Sequence, residues 1–344
     1  MTSLDPRESF FDTVFSLHQN AEQNCGSIVR LYAIGEFTVC LRFAGDALIP
    51  LLTPGLDHVE IAAGARPDLT VYLFDMRSTQ TIVPHLPWAG NDYSAHGEIK
   101  VCSDTRFSMV FFSGMLMLLD RKRNIGVFGA TSASLIPYYE KAAPLKIIFN
   151  WFFQDKDYHL LHAAAVGTDR GCVLLVGKGG CGKSTAGLAC IEAGLLYMGD
   201  DYTLVHVSEQ PRAYSLYNSA KLASGHCKNF PALERSISNP ERPGAEKAVL
   251  FLWKKYPQQL ASALPVKAIL VPVISGLPDT TTATISPGIS IKALAPSTLF
   301  QLPGPSPLKF QKMSKLVKKV PNYRLDMGTD LRQIPTVILD LLEG

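Results

Sequence analysis

A glycine-rich turn between an apolar run and a helical pattern constrains this chain more than any other feature of its sequence. Residues 177–184 read GKGGCGKS, the run CVLLV at 172–176 precedes them, and a pattern typical of a helix covers 183–193. Glycines permit the tight curvature that turns successive backbone N–H groups inward, and a helix that begins there adds the positive end of its dipole. We therefore predict an α/β domain in which this strand, loop and helix enclose an anionic group.

The loop matches the pattern G-x-x-x-x-G-K-[ST], in which the lysine reaches the β- and γ-phosphates of a nucleotide and the hydroxyl group binds Mg²⁺. Lys183 and Ser184 occupy these two positions, and Thr185 supplies a second hydroxyl group. We predict ATP and Mg²⁺ as cofactors, with Ser184 as a metal ligand. The residues predicted to bind the nucleotide are Gly177, Lys178, Gly179, Gly180, Cys181, Gly182, Lys183, Ser184 and Thr185.

Two aspartates and a histidine are the candidate catalytic residues. Asp200 and Asp201 follow the helical pattern and a short apolar segment, and His162 lies in an apolar run ahead of the loop. A pair of acids opposite a phosphate loop can divide two tasks, since one can hold Mg²⁺ and the other can accept a proton from an attacking hydroxyl group. A histidine titrates near neutrality and can assist that transfer. The alternatives are a turn capped by aspartates and a histidine buried in a core.

The segments LHAAAV, VLLVGKGGCGKST and LLYMGDDYTLV together resemble the catalytic domain of bacterial HPr kinase/phosphorylase over about residues 160–206. That family has a fold related to phosphoenolpyruvate carboxykinase, phosphorylates a protein serine and can run the reaction in reverse. The resemblance implies that Lys183 and Ser184 bind phosphate and metal, and that Asp200 is the base. It also implies that Asp201 assists with the metal and that His162 supports the proton transfer. We expect a related kinase with its own acceptor, a serine of a peptide or protein, including ribosomally made peptides.

Four further residues are candidates for contacts with the substrate or its phosphate. Ser219 and Lys221 follow the acid pair in a compact polar segment. Arg242 and Lys247 flank a Pro-Gly pair that would suit a mobile cationic lid. An exposed loop with solvated charges is the alternative for both segments.

A lysine-rich helix is predicted over 306–320. Its lysines at 309, 312, 315 and 319 lie roughly along one face. This face could dock an acidic peptide, but an ordinary solvated face of an amphipathic helix is the favoured interpretation.

The composition and the change of pattern along the chain indicate two domains. Hydrophobic residues make up 47% of the 344 residues and charged residues 18%, which is enough to bury two cores. Short strand patterns dominate 1–131, a helical pattern follows over 132–157, and strand and helix patterns alternate over 158–344. We predict a mainly β or α+β N-terminal domain for substrate recognition, a helical connection, and a P-loop kinase domain.

Charge and cysteine usage narrow the choice of partners. The formal net charge of +3 is too small to indicate binding to nucleic acid or a membrane surface. The seven cysteines include no Cys-x-x-Cys pair, so a reducing cytoplasm is expected. The resemblance to HPr kinase/phosphorylase implies that the chain could form a homo-oligomer. Two other functions fit the same loop: a kinase that acts on a small metabolite, and a nucleotide-gated binding module without catalysis.

Overall fold

The computed structural model describes residues 5–94, 97–100, 106–244 and 246–344. The chain divides into two compact units. The first comprises Met1–Pro54 and Glu60–Phe152, and the second comprises Gly55–Val59 and Phe153–Gly344. The segment predicted as a helical connection therefore belongs to the first unit as far as Phe152. The sequence also predicts a short strand over 98–102, and this segment lies partly outside the described residues.

The first unit is built on a seven-stranded mixed sheet. Its strands are β1 (Ser27–Ile34), β2 (Phe37–Ala44), β3 (Glu60–Ile61), β4 (Leu69–Asp75), β5 (Phe107–Phe112), β6 (Met115–Asp120) and β7 (Ile125–Ala130). They lie in the order β3-β1-β2-β4-β7-β6-β5. The pairs β2–β4 and β4–β7 are parallel, and the other pairs are antiparallel.

A long helix accompanies this sheet. The helices that begin in the first unit are α1 (Pro6–Cys25), α2 (Ile49–Leu52), α3 (Tyr138–Ala142) and α4 (Lys146–Gln154). Phe10, Phe11 and Val14 of α1 are buried in one core with strand residues that include Phe74 and Phe107. The sequence patterns do not predict α1, so the unit is α+β rather than mainly β.

The second unit contains a larger mixed sheet. Its strands are β8 (Tyr158–Leu161), β9 (Ala163–Thr168), β10 (Gly171–Val176), β11 (Leu196–Gly199), β12 (Thr203–His206), β13 (Arg212–Tyr214), β14 (Ser219–Leu222), β15 (Ala248–Phe251), β16 (Ala263–Ile274), β17 (Thr281–Thr284) and β18 (Asn322–Met327). The order is β11-β9-β10-β16-β13-β12-β8, with β18 paired to the second half of β16 and to β17. Strands β14 and β15 form a separate two-stranded sheet.

Helices cover both faces of the larger sheet. They are α5 (Lys183–Glu192), α6 (Pro287–Gln301), α7 (Ser306–Lys319) and α8 (Gln333–Glu343). Helices α5 and α8 contribute to the core on one face, and α6 and α7 contribute to the core on the other. Strand β10 therefore has apolar side chains buried on both sides, which explains its uninterrupted apolar sequence. No helix among the described residues is both long enough and apolar enough to cross a membrane.

Candidate functional site

Strand pairing brings the three predicted parts of the site to one end of the larger sheet. The antiparallel pairing of β9 with β10 places Val176 opposite Ala163, so the glycine-rich loop opens beside His162. The apolar run that contains His162 is split at that histidine into β8 and β9. The backbone therefore bends at His162, where the apolar run alone would predict a continuous strand.

The acid pair reaches the same bend from the neighbouring strands. Leu161 pairs with Thr203, and Ala165 pairs with Gly199, so the register is the same on both sides of the bend. The segments 162–164 and 200–202 therefore lie side by side. The convergence follows from backbone register and does not depend on any one side-chain contact.

The loop itself has the backbone that its glycines predict. Gly177, Gly180 and Gly182 have φ angles of 155°, 83° and 101°, and α5 begins directly after Gly182. A side chain at Gly182 would place its Cβ 2.1 Å from Met327 Cε. Glycine is favoured there by its backbone conformation, and any larger residue would also require the flexible end of the Met327 side chain to move.

Lys183 is buried and points back to the loop. Its Nζ donates hydrogen bonds to Gly177 O at 2.7 Å and to Lys178 O at 3.3 Å. Lys178, Gly179 and Gly180 are exposed, whereas Cys181, Ser184 and Thr185 are half-buried. The loop is therefore exposed on its outer side. The ammonium group of Lys183 lies against the carbonyls of Gly177 and Lys178.

Asp200 is a buried acid of the second unit with a raised pKa. It is only 3% exposed, and its Oδ2 accepts a hydrogen bond from the Lys221 backbone N–H at 3.0 Å. Burial, together with the charge of Asp201, raises the pKa of Asp200 against the opposing effects of the Lys221 N–H, the Ser184 hydroxyl and Lys183. Its Oδ1 is buried and has no hydrogen bond of ordinary geometry within the described part of the chain.

Asp201 has the opposite electrostatic environment. Its Oδ1 lies 3.2 Å from His162 Nε2, and its Oδ2 forms an ion pair with Lys221 Nζ. Burial alone would raise the pKa of Asp201, but the charge of Lys221 and the contact with His162 outweigh it and hold that pKa far below its usual range. Two adjacent acids whose pKa values are pushed apart are typical of sites that assign them different tasks.

Two hydroxyl groups of helix α6 contact the backbone at the bend and at the start of the loop. The backbone N–H of His162 donates to Thr298 Oγ1 at 3.3 Å, and Ser297 Oγ lies 3.5 Å from Gly177 O. The His162 ring packs edge-on against Tyr202 with 5.5 Å between the ring centroids. The sequence does not indicate either hydroxyl of α6, because both lie more than a hundred positions from their partners.

The structure brings Lys221 into the site and keeps Ser219 beside it. Both residues lie on β14, where Ser219 is buried and its carbonyl accepts a hydrogen bond of 2.9 Å from Tyr197 Oη. Arg242 instead donates to Asn239 O and to Cys227 Sγ. None of the contacts among the described residues joins Arg242 or Lys247 to the loop.

A histidine from the segment Gly55–Val59 lies in the second unit close to β14. His58 Nε2 is 2.7 Å from Ser215 Oγ, and His58 Nδ1 is 3.4 Å from Asn218 Nδ2. The Asn218 backbone N–H donates to Gly55 O at 2.9 Å. These contacts hold the residues that lead into β14, and hence the strand that carries Lys221.

The side chains around the loop offer few ligands for a metal ion. Among the described residues, no group of three or more His, Cys, Asp or Glu side chains could hold a metal ion. Mg²⁺ does not need such a group, because one or two protein ligands with substrate phosphates and water are usual. The Ser184 hydroxyl fits that role, with phosphate and water oxygens as the remaining ligands. Both oxygens of Asp201 are already engaged.

Comparisons with known proteins give little more. No family model matches the chain, and no curated protein matches its sequence. Among solved structures, the Hpr(Ser) kinase/phosphatase from Coxiella burnetii matches at 15% identity and a TM-score of 0.28, over 54% of this chain and 94% of that chain. A likeness this distant supports no inference about activity, which has to rest on the residues themselves.

Proposed function

We propose that this protein is an ATP-dependent kinase that transfers the γ-phosphate to a hydroxyl group, namely a serine of a peptide or protein. The observation that carries the proposal is Asp200. It is a buried acid with a raised pKa, it interacts with Ser184 of the loop helix, and one of its oxygens has no hydrogen-bond partner within the described residues. A nucleotide switch needs a phosphate loop but has no need for a base of this kind.

The loop would bind the phosphates. Its backbone N–H groups and the N-terminus of α5 favour an anion, and Lys183 supplies the cation. In the structure the ammonium group of Lys183 donates to two loop carbonyls. Phosphate oxygens would take their place as acceptors. Mg²⁺, held by Ser184 and the phosphates, would neutralise charge that develops during transfer.

Asp200 would take the proton of the acceptor hydroxyl. The oxygen–phosphorus bond to serine forms, the bond from the γ-phosphorus to the bridging oxygen breaks, and ADP leaves. The raised pKa makes Asp200 a stronger base than an exposed aspartate. Asp201 serves as a positioning residue, since it stays ionised between Lys221 and His162 and keeps a negative charge beside Asp200. For Asp201 to bind metal, His162 or Lys221 would have to release one of its oxygens.

Substitution of Asp200 tests this mechanism. Asp200→Asn keeps the size of the side chain but cannot accept the proton, so phosphoryl transfer should fall by roughly 10²- to 10⁴-fold. ATP affinity should stay within a few-fold, because the interaction is made mainly in the transition state. Single-turnover transfer to candidate peptides, followed by mass spectrometry, measures the first quantity, and calorimetric titration with ATP and Mg²⁺ measures the second.

Lys183→Ala is the matched variant for binding. It should weaken ATP affinity and abolish transfer, because the β- and γ-phosphates lose their cation. Transfer at the wild-type rate by Asp200→Asn would exclude Asp200 as the base, whereas the absence of transfer by the wild-type protein would favour the nucleotide-gated binding module. We further propose that the first unit recognises the acceptor peptide.

A further inference from the structure

Three large apolar side chains are exposed where β16 ends and the following turn begins. Val273, Ile274 and Leu277 are 39%, 62% and 64% exposed, whereas Ile269 and Leu270 earlier in the strand are fully buried. Single exposed apolar residues are normal on protein surfaces. A group of them beside a predicted ligand site is more informative.

The turn that presents Leu277 is held rigidly. Ser275 N and Ser275 Oγ both donate to Met327 O, at 3.1 Å and 2.9 Å. The Leu277 N–H donates to Ser275 Oγ at 3.1 Å, and Leu277 O accepts from Thr329 N at 2.9 Å. The Leu277 side chain is therefore exposed on an ordered backbone, not on a loose loop.

One member of this group, Ile274, lies against the phosphate loop. Ile274 Cγ1 is 4.0 Å from the point where a Cβ at Gly182 would stand, and Met327 lies closer still. Gly182 is the residue before α5, so Ile274 lies beside the N-terminus of the helix that would receive the phosphates.

The catalytic residues lie on the other flank of the loop. The strand order runs β11-β9-β10-β16, with β18 beyond β16, and the loop follows β10 in the middle. Asp200 directly follows β11 and His162 directly precedes β9, whereas Ile274 and Met327 are the last residues of β16 and β18. A nucleotide with its γ-phosphate near Asp200 would extend across the loop toward the apolar flank.

We propose that Ile274 and Leu277 form the subsite for the heterocyclic base of the nucleotide. The inference rests on the proposed function, because it needs a nucleotide in the loop. The base is the flat, weakly hydrated part of a nucleoside triphosphate, and these side chains would remove its face from water. The phosphates themselves gain nothing from them.

Binding of ATP and of inorganic tripolyphosphate by calorimetry separates these two contributions. Ile274→Ser and Leu277→Ser should each weaken ATP binding about tenfold, since each removes apolar contact with the base. Tripolyphosphate carries no base, so its affinity should be unchanged in both variants. Phe310→Ser is the matched control, because Phe310 is 46% exposed on α7 of the same unit. It should change neither affinity.

A variant with an added probe gives a second readout. In Leu277→Trp the new indole should stack on the base, so its fluorescence should change on addition of ATP and not on addition of tripolyphosphate. The same titrations with Phe310→Trp should show no such difference.

Two results would overturn the subsite and leave the kinase proposal intact. One is wild-type affinity for ATP in both serine variants. The other is an equal loss of ATP and tripolyphosphate affinity, which would mean that these side chains support the loop and not the base. If the wild-type protein binds neither ligand, the proposed function fails and the subsite fails with it.

Discussion

At the scale of single residues, the neighbouring acids Asp200 and Asp201 contribute to stability in opposite directions. Asp200 is buried near another negative charge, and its raised pKa means that ionisation costs the folded state free energy. Asp201 is ionised between Lys221 and His162, and its lowered pKa means that ionisation stabilises the folded state. A catalytic group that is held at a cost to stability is common at active sites.

We predict that Asp200→Asn raises the thermal stability of the protein at pH 7.5. A raised carboxyl pKa means that stability is lost as pH rises from the unfolded pKa of about 3.9 through the folded value. The amide carries no charge, so the variant avoids this loss. Melting temperatures at pH 7.5 and near pH 4 measure the effect, which should shrink at the lower pH. A melting temperature below that of the wild type at pH 7.5 would contradict the assignment.

Asp201→Asn is predicted to have the opposite effect. The lowered pKa of Asp201 provides stability above its unfolded pKa, and this stability is lost as pH falls through the folded value. The variant removes the negative charge that pairs with the ammonium group of Lys221, in a site where the Lys221 side chain is 13% exposed. We expect a loss of about 3 kcal/mol at neutral pH in urea unfolding, the usual effect of breaking a buried pair. An unchanged unfolding midpoint would show that the pair is solvated.

At the scale of elements, the backbone of the glycine-rich loop depends on specific glycines and not on glycine content. Gly182 has a φ of 101°, where a side chain is strained, and a Cβ there would displace the end of Met327, whereas Gly179 lies outside the left-handed region with nothing within 4 Å. We predict that Gly182→Ala abolishes ATP binding and destabilises the second unit, while Gly179→Ala keeps the wild-type melting temperature. Calorimetry with ATP and thermal unfolding test both variants. Equal behaviour of the two would mean that the loop adopts another backbone.

The elements that were predicted correctly from sequence are those with strong local signals. The predicted helix over 183–193 is α5, and the predicted strand over 172–176 matches β10 to within one residue. Helix α1 was missed, although Asp5 caps it, Pro6 stands in its first turn and Gly26 ends it. Its polar residues mask an apolar stripe that begins at Phe10. Helix α6 was missed because Pro296 interrupts its pattern.

The sequence predicts the lysine-rich helix α7 correctly but not the environment of its lysines. Lys309 is buried and donates to Leu302 O. Lys312 donates to the carbonyls of Gln154, Lys156 and Tyr158. Lys309 thus binds a backbone group just after α6, and Lys312 binds backbone groups from the end of α4 to the start of β8, whereas Lys315 is exposed, so the face is solvated only in part. Long-range backbone partners of this kind leave no local trace in the sequence.

At the scale of the whole molecule, the second unit is discontinuous in sequence. Its main part begins at Phe153, yet it includes Gly55–Val59. His58 and Ser215 are separated by 157 positions and still form a hydrogen-bond contact. The sequence alone predicts that the loop and the acid pair belong to one site, because β10, α5 and β11 follow one another along the chain. It could not place His58, because nothing in the local pattern around it refers to β14.

The last prediction concerns the pH dependence that His58 gives to the second unit. Burial lowers the pKa of His58 from its usual 6.5 to about 4, so the folded state holds it neutral while the unfolded chain takes up a proton. The unfolded state therefore binds more protons between these two values, and stability should fall as pH decreases from 6.5 to 4. His58→Gln keeps a group that can hydrogen-bond near Ser215 but does not titrate, so it should show a weaker fall. Burial also lowers the pKa of His18 and His159, and both remain in the variant, so the difference between the two proteins is the quantity to measure.

Urea unfolding at pH 7.5, 6.0 and 5.0 provides the measurement, and His226→Gln is the matched control because His226 is exposed. The control should follow the wild type at every pH, whereas His58→Gln should lose less stability than the wild type between pH 7.5 and 5.0. ATP affinity should also weaken in His58→Gln at neutral pH if the contacts of His58 with Ser215 and Asn218 help to position β14 and Lys221. Identical pH dependence in all three proteins would mean that the pKa of His58 is not lowered by burial in the unit that carries the loop.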